Sequence, residues 1–135
     1  MHIDHVGIAA WQLDQGSAFY RSAGASWLGD AAIPDQGVAV RLLQLGEDLI
    51  EVIAPLGGMQ EGSLHRFLAR RGPGLHHLAV RVASVEDELR RLSGLGAQLI
   101  DRQPRPGRPG TKVAFVHPQA TGGTLLELVE LAEEF

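Results

Sequence analysis

The sequence predicts an α+β fold made from two copies of one strand–helix–strand module, and two observations carry that prediction. The chain repeats itself: Ile3-Asp4-His5-Val6-Gly7-Ile8 returns as Leu75-His76-His77-Leu78-Ala79-Val80, and Leu49-Ile50-Glu51-Val52-Ile53 returns as Leu125-Leu126-Glu127-Leu128-Val129. Within each half, apolar runs of strand length bracket one segment with helical spacing. At 135 residues the chain has material for one core and not for two, so the halves must share an interior.

The first half opens with a strand over Ile3–Ala9, followed by a turn through Trp11-Gln12 and a helix entered at Asp14, a residue type suited to an N-cap. That helix carries Ala18, Phe19 and Tyr20 and ends near Gly24. Two strand-like runs follow, Gly37–Leu45 and Asp48–Ala54, joined by a tight turn at Gly46-Glu47. A connecting helix over about 63–71 puts Leu64, Phe67 and Leu68 on one face, with Arg70 and Arg71 in its last turn and Gly72 beyond. Module one therefore covers about 1–62 and module two about 72–135.

The second half runs the same course. A strand over Leu75–Val82 leads to a helix entered at Ser84, with Asp87 three residues on, close to a capping box. Gly94-Leu95-Gly96 ends that helix and Leu99-Ile100 begins a strand. An arginine-rich Pro/Gly loop over 102–110 follows, then strands Thr111–His117 and Thr124–Glu130 joined through Pro118–Gly123, and an acidic tail over 132–135.

Composition removes whole classes of function. A formal net charge of -4 argues against nucleic-acid binding, because bulk electrostatics would repel a polyanion. The absence of cysteine excludes disulfides, thiolate catalysis and Cys-ligated zinc. No apolar run approaches the ~20 residues of a membrane span, and the strand pattern beginning at Ile3 leaves no room for a cleaved signal, so the expectation is a cytoplasmic protein.

Each half opens on a histidine and closes on a glutamate. Side chains alternate along a strand, so His5 shares a face with Gly7 and Ala9, and His77 with Ala79, while Val6, Ile8, Leu78 and Val80 face the helices. Glu51 and Glu127 fall between apolar neighbours that also face the helices. His5, Glu51, His77 and Glu127 thus lie away from the helix layer, and parity selects His77 over His76. A carboxylate in the middle of an apolar strand is costly to bury unless something neutralises it. Two imidazoles and two carboxylates supplied by two copies of one module suit a divalent ion on a pseudo-twofold axis: Co, Ni, Mn or Zn, six-coordinate with two positions open to a chelating substrate.

At these residues the chain resembles the methylmalonyl-CoA epimerases of the vicinal oxygen chelate superfamily, which has the glyoxalase fold. The resemblance lies in Asp4–Ala9, Gln36-Gly37-Val38, Leu49–Pro55, Gly74–His77 and the block from Lys112 through His117-Pro118 and Thr121-Gly122-Gly123 to Glu130. It implies a βαβββ module used twice, the strands curling as a mixed sheet into a cup around a metal held by His5, Glu51, His77 and Glu127. It also implies an acyl-CoA substrate, a homodimer, and Glu127 as both ligand and proton acceptor. One branch of that family has a second catalytic glutamate two residues beyond Gln-Gly-Val, where this chain has Val40. Valine cannot move a proton, so Glu127 alone, a water, or another group such as Glu51 must serve the opposite face. The loop carrying Arg102, Arg105, Arg108 and the only lysine, Lys112, offers Arg105 and Lys112 as handles for the coenzyme phosphates.

The chemistry expected is removal of the C2 proton of methylmalonyl-CoA to a planar enolate and its return on the other face. The alternatives are a lactoylglutathione lyase, an extradiol dioxygenase and a non-catalytic binding relative of the same fold. A fourth protein ligand disfavours the dioxygenase, which wants two histidines, one carboxylate and open positions. The complete ligand set disfavours the binding module.

Overall fold

Strand β1 (His2–Ala9) runs beside β4 (Asp48–Pro55) in parallel, with Gly7 opposite Glu51 and Ala9 opposite Ile53. Between them in sequence come helix α1 (Leu13–Ser22) and strands β2 (Ser26–Ile33) and β3 (Val38–Leu45). β3 pairs antiparallel with both β2 and β4, so this half of the sheet is mixed, in the order β2-β3-β4-β1. The computed structural model describes residues 1–57 and 61–132; residues 58–60 and the last three of the acidic tail lie outside the described residues.

The second half repeats this plan. β5 (Gly74–Arg81) pairs in parallel with β8 (Leu126–Leu131), Ala79 opposite Glu127. Helix α3 (Val85–Gly94), the two-residue β6 (Arg105–Pro106) and β7 (Thr111–Val116) lie between them in sequence, and the strand order is β5-β8-β7-β6. Helix α2 (Ser63–Arg71) connects the halves along the chain, and a single turn, α4 (Pro118–Thr121), joins β7 to β8. Among the described residues, eight strands with few helices make this the α+β glyoxalase fold that the duplication and the resemblance predict. Its two compact units are His5–His76, and Met1–Asp4 together with His77–Phe135, so the chain passes from one to the other inside β1.

Strand parity decides what each face buries. On one face of the first unit Leu43 and Val52, with Leu13 and Tyr20 of α1, close a core. Gly16 lets α1 approach that closely: a Cβ there would lie 2.5 Å from Val52 Cγ1 and 2.9 Å from the Ala10 Cβ. On the other face Ala9, Val40 and Ile53 are buried under Leu64 and Leu68 of α2. In the second unit Ala114, Val116 and Leu128 pack against Val85 and Leu89 of α3, while Ala79, Val113 and Val129 form a small cluster on the opposite face.

Four local expectations change. β2 is not legible in the sequence: the run from Ser26 to Ile33 is largely exposed, and pairing with β3 holds it despite a bulge between Trp27 and Gly29. Leu99 makes only an isolated bridge to Val116, so no strand begins there. Helix α1 starts one residue earlier than Asp14, with Gln12 as an N-cap that makes no side-chain bond; Asp14 instead sits in the first turn and accepts from Arg41 Nη1 at 2.7 Å. Helix α2 covers the face on which Glu51 lies, so that face is not free of helix throughout.

Candidate functional site

In the first unit, His5 and Glu51 come from neighbouring parallel strands. Both are buried, at 1% and 5% exposure, and His5 Nε2 stands 3.6 Å from Glu51 Oε1. Leu42 lies opposite Glu51 and Val40 opposite Ile53, so Val40 shares the glutamate's face two residues along and is itself buried. That strip holds apolar side chains in place of a second carboxylate.

The second unit builds the same pair from the same elements. His77 and Glu127 are buried, and His77 Nε2 stands 3.3 Å from Glu127 Oε1. Phe115 is opposite Glu127 in the β7–β8 register, and its ring meets that of His77 edge-on with centroids 6.0 Å apart. An imidazole backed by an aromatic edge on one side and a carboxylate on the other has little freedom to turn. His76 points elsewhere: its ring packs edge-on to Phe67 of α2 at 4.7 Å, as expected of the packed member of the doublet.

The donor sets fit a divalent cation. Each unit offers one imidazole nitrogen and one carboxylate oxygen, both buried and on one face, and borderline N/O donors are what Co, Ni, Mn and Zn accept. A cation held there would add positive charge beside a buried carboxylate.

Arg105 and Lys112 are separated by the pleat. Arg105 lies opposite Val113, on the face of Val129 and Glu127, and its guanidinium stands over the Phe115 ring at 5.3 Å. Lys112 lies opposite Glu130 on the α3 face, with Nζ 3.7 Å from Glu86 and 4.0 Å from Glu130. Glu130 in turn accepts from Val85 N at 2.9 Å at the start of α3, and Ser84 caps that helix by accepting from Asp87 N, as the capping-box motif predicts. His117 accepts from Gln119 N through Nδ1 and caps α4, a structural role.

Two networks went unseen in the sequence. In the first unit Arg41 is buried against Trp27, 3.7 Å from its ring centroid, and donates to Asp30, Asp14 and Ser17. The Arg41 guanidinium beside Asp30 holds that carboxyl below the usual carboxylate range, against the opposing effect of burial. In the second, Asp4 is buried between Arg81 and Arg108. No sequence signal pairs residues so far apart.

Comparison with known proteins adds the family. Residues 4–115 match the Glyoxalase/Bleomycin resistance protein/Dioxygenase superfamily. The chain is 38% identical over 129 residues to the uncharacterized protein YqjC of Bacillus subtilis, covering 95% of this chain and 91% of that protein. It is 33% identical over 133 residues to the ethylmalonyl-CoA/methylmalonyl-CoA epimerase of Cereibacter sphaeroides, covering 96% and 97%. Among solved structures, a variant of Streptomyces coelicolor methylmalonyl-CoA epimerase in complex with 2-nitronate-propionyl-CoA superposes with a TM-score of 0.91 at 28% identity, covering 98% of this chain and 99% of that one.

Proposed function

This chain belongs to the Glyoxalase/Bleomycin resistance protein/Dioxygenase superfamily and is an epimerase within it; from that premise we propose that it inverts C2 of methylmalonyl-CoA at a centre formed by His5, Glu51, His77 and Glu127. The observation that carries this reading is that each repeat buries a histidine and a glutamate as a close pair, at 3.6 Å and 3.3 Å. Together the four are a set able to hold a metal ion. A divalent ion held there supplies Lewis acidity that stabilises charge developing on the thioester oxygen.

Glu127 takes the C2 proton: the C–H bond breaks, its electron pair moves into the thioester carbonyl as an enolate, and the proton rests on the carboxylate. Phe115 and the small cluster of Ala79, Val113 and Val129 give the same face an apolar lining, which limits the water beside the developing enolate. Glu51 is the group that delivers a proton from the other side. It is the first unit's buried carboxylate, and the Val40 position beside it is apolar. The Streptomyces relative's nitronate ligand supports this path, because a nitronate is planar and anionic as an enolate is. Arg105 and Lys112 hold coenzyme phosphates, Arg105 from the Phe115 side and Lys112 from the α3 side. The working form is a cytoplasmic homodimer in which a second copy covers the exposed Phe19, Trp27 and Leu28, and light scattering tests the stoichiometry. Among the described residues no helix is long and apolar enough to cross a membrane.

The test is deuterium uptake at C2 of methylmalonyl-CoA in heavy water with metal-loaded protein, beside lactoylglutathione formation from the hemithioacetal. Exchange with the first and none with the second is expected. The reverse result would transfer the protein to the lyase reading. In Glu51→Gln, which keeps an oxygen donor but cannot accept a proton, exchange should fall much more from one epimer than from the other; equal loss from both removes Glu51 from the opposite face.

A further inference from the structure

The repeat explains His5 but not the residue before it. The Asp4 side chain is 0% exposed, and its Oδ1 accepts from Arg81 Nε at 2.9 Å and Nη2 at 2.7 Å while Oδ2 accepts from Arg108 Nη2 at 3.3 Å. Arg81 ends β5; Arg108 sits in the loop between β6 and β7, its side chain only 13% exposed. A carboxylate this deep is stabilised only while its partners stay in place. Asp4 thus draws an arginine of the loop inward.

The loop is fixed at its other points by backbone. Arg108 O accepts from Thr111 N at 3.0 Å and from Thr111 Oγ1 at 2.7 Å, and Gly110 O accepts from Ala132 N at 2.8 Å. Gly107 lies so close to β7 that a Cβ there would meet Thr111 Oγ1 at 2.5 Å and Val113 Cγ1 at 2.6 Å. Just before this clamped stretch stands Arg105, over Phe115 and on the face of Glu127. Among the described residues its Nε is buried without a hydrogen-bond acceptor: Asp101 Oδ2, 3.3 Å away, already accepts from Phe115 N at 2.8 Å. The guanidinium is a third exposed, so it has donors both waiting and reachable.

We propose that Asp4 is a positioning residue: through Arg108 it sets the 102–110 loop so that Arg105 is presented to a phosphate of the acyl-CoA. This rests on the acyl-CoA reading above and adds to it which group places the handle. The ligand chemistry is a phosphate oxyanion, which a planar guanidinium binds in two-point fashion. In this role Asp4 acts through the loop, by its bond to Arg108.

The experiment compares wild type, Asp4→Asn, Arg105→Ala and the double variant. The readouts are C2 exchange with methylmalonyl-CoA and with methylmalonyl-pantetheine, which lacks the phosphates, and calorimetric binding of free coenzyme A. Asp4→Asn should raise KM for the CoA substrate and the Kd of coenzyme A about 5–10-fold, the loss of one well-placed charge-assisted contact, with a much smaller change in kcat. The penalty should vanish for the pantetheine substrate and shrink below about twofold in the Arg105→Ala background, because the two changes act on one contact. Equal penalties for the two substrates, or full additivity with Arg105→Ala, would overturn the proposal. If Asp4→Asn does not fold, Arg108→Gln makes the same test, since it leaves the Asp4–Arg81 pair intact. Coenzyme A binding separates the two ideas: a wild type that binds coenzyme A without C2 exchange sinks the epimerase reading and leaves the loop proposal to be judged on Kd. A wild type that does neither sinks both.

Discussion

In the His5–His76 unit the strip of sheet beside Glu51 is closed by a helix, whereas in the other unit the equivalent strip beside Glu127 is closed by a loop. The registers are the same: Leu42 and Val40 of β3 stand opposite Glu51 and Ile53, as Phe115 and Val113 of β7 stand opposite Glu127 and Val129. Over Val40 and Ile53 lie Leu64 and Leu68 of α2; against Val113 lies Gly107, with Arg105 beside Phe115. Duplication has kept what register fixes, a histidine and a glutamate side by side, and has let the coverings diverge, because those come from segments outside the repeated strands. One unit supplies an apolar lid, the other a polar handle. The same asymmetry runs through the back face, where α3 is capped by Ser84 and α1 has no side-chain cap at Gln12.

The comparison breaks most visibly at the two glutamates. Glu127→Ala removes a candidate ion ligand together with the base, so C2 exchange should fall by roughly 10²–10⁴-fold for both epimers, and full retention of exchange would remove Glu127 from that role. A smaller effect separates the helices. In α1, Gly16→Ala gains helix propensity but drives a methyl into Val52 and the fixed Ala10 Cβ, so the urea midpoint should fall by an amount corresponding to about 1–2 kcal/mol. In α3, Gly94→Ala meets nothing within 4 Å and should raise stability by about 0.5 kcal/mol. Like signs for the two would mean that the helices sit equally close to their strands.

The caps come next. Ser84→Ala should cost about 1 kcal/mol, and Gln12→Ser should recover up to a similar amount in α1, both read as shifts in thermal midpoint. A further small effect is at Asp30. Its carboxyl titrates below the ordinary value because Arg41 donates to it, so its contribution is present above the unfolded-chain value near 3.8 and is lost as pH falls through the lower folded value. Asp30→Asn should therefore destabilise at neutral pH by about 1 kcal/mol or less, since solvent screens a carboxylate more than a third exposed, and the gap from wild type should close in acid. A gap that persists unchanged at low pH would assign the loss to packing, since asparagine can keep the Trp27 bond.

Much of this was legible before any coordinates. Local pattern placed β1, β3, β4, α2, β5, α3 and β7 to within a residue or two, because each carries a period, a cap or a turn that depends on neighbours along the chain. Parity placed His5, Glu51, His77 and Glu127 on one side of their strands and chose His77 over His76. β2 escaped because its residues show no alternation of their own; it exists by pairing with β3. Leu99-Ile100 has strand composition and only one bridge, from Leu99 to Val116.

By itself, then, the sequence determined the duplication, the face of each strand, and the residue types that meet as donors, since all of these follow from spacing along a strand. Only the tertiary structure decided which helix or loop covers each half, that Arg105 and Lys112 face opposite ways across one pleat, and that Asp4 grips Arg81 and Arg108. Those contacts join segments far apart in the chain, and what selects among them is burial of charge, which no local pattern records.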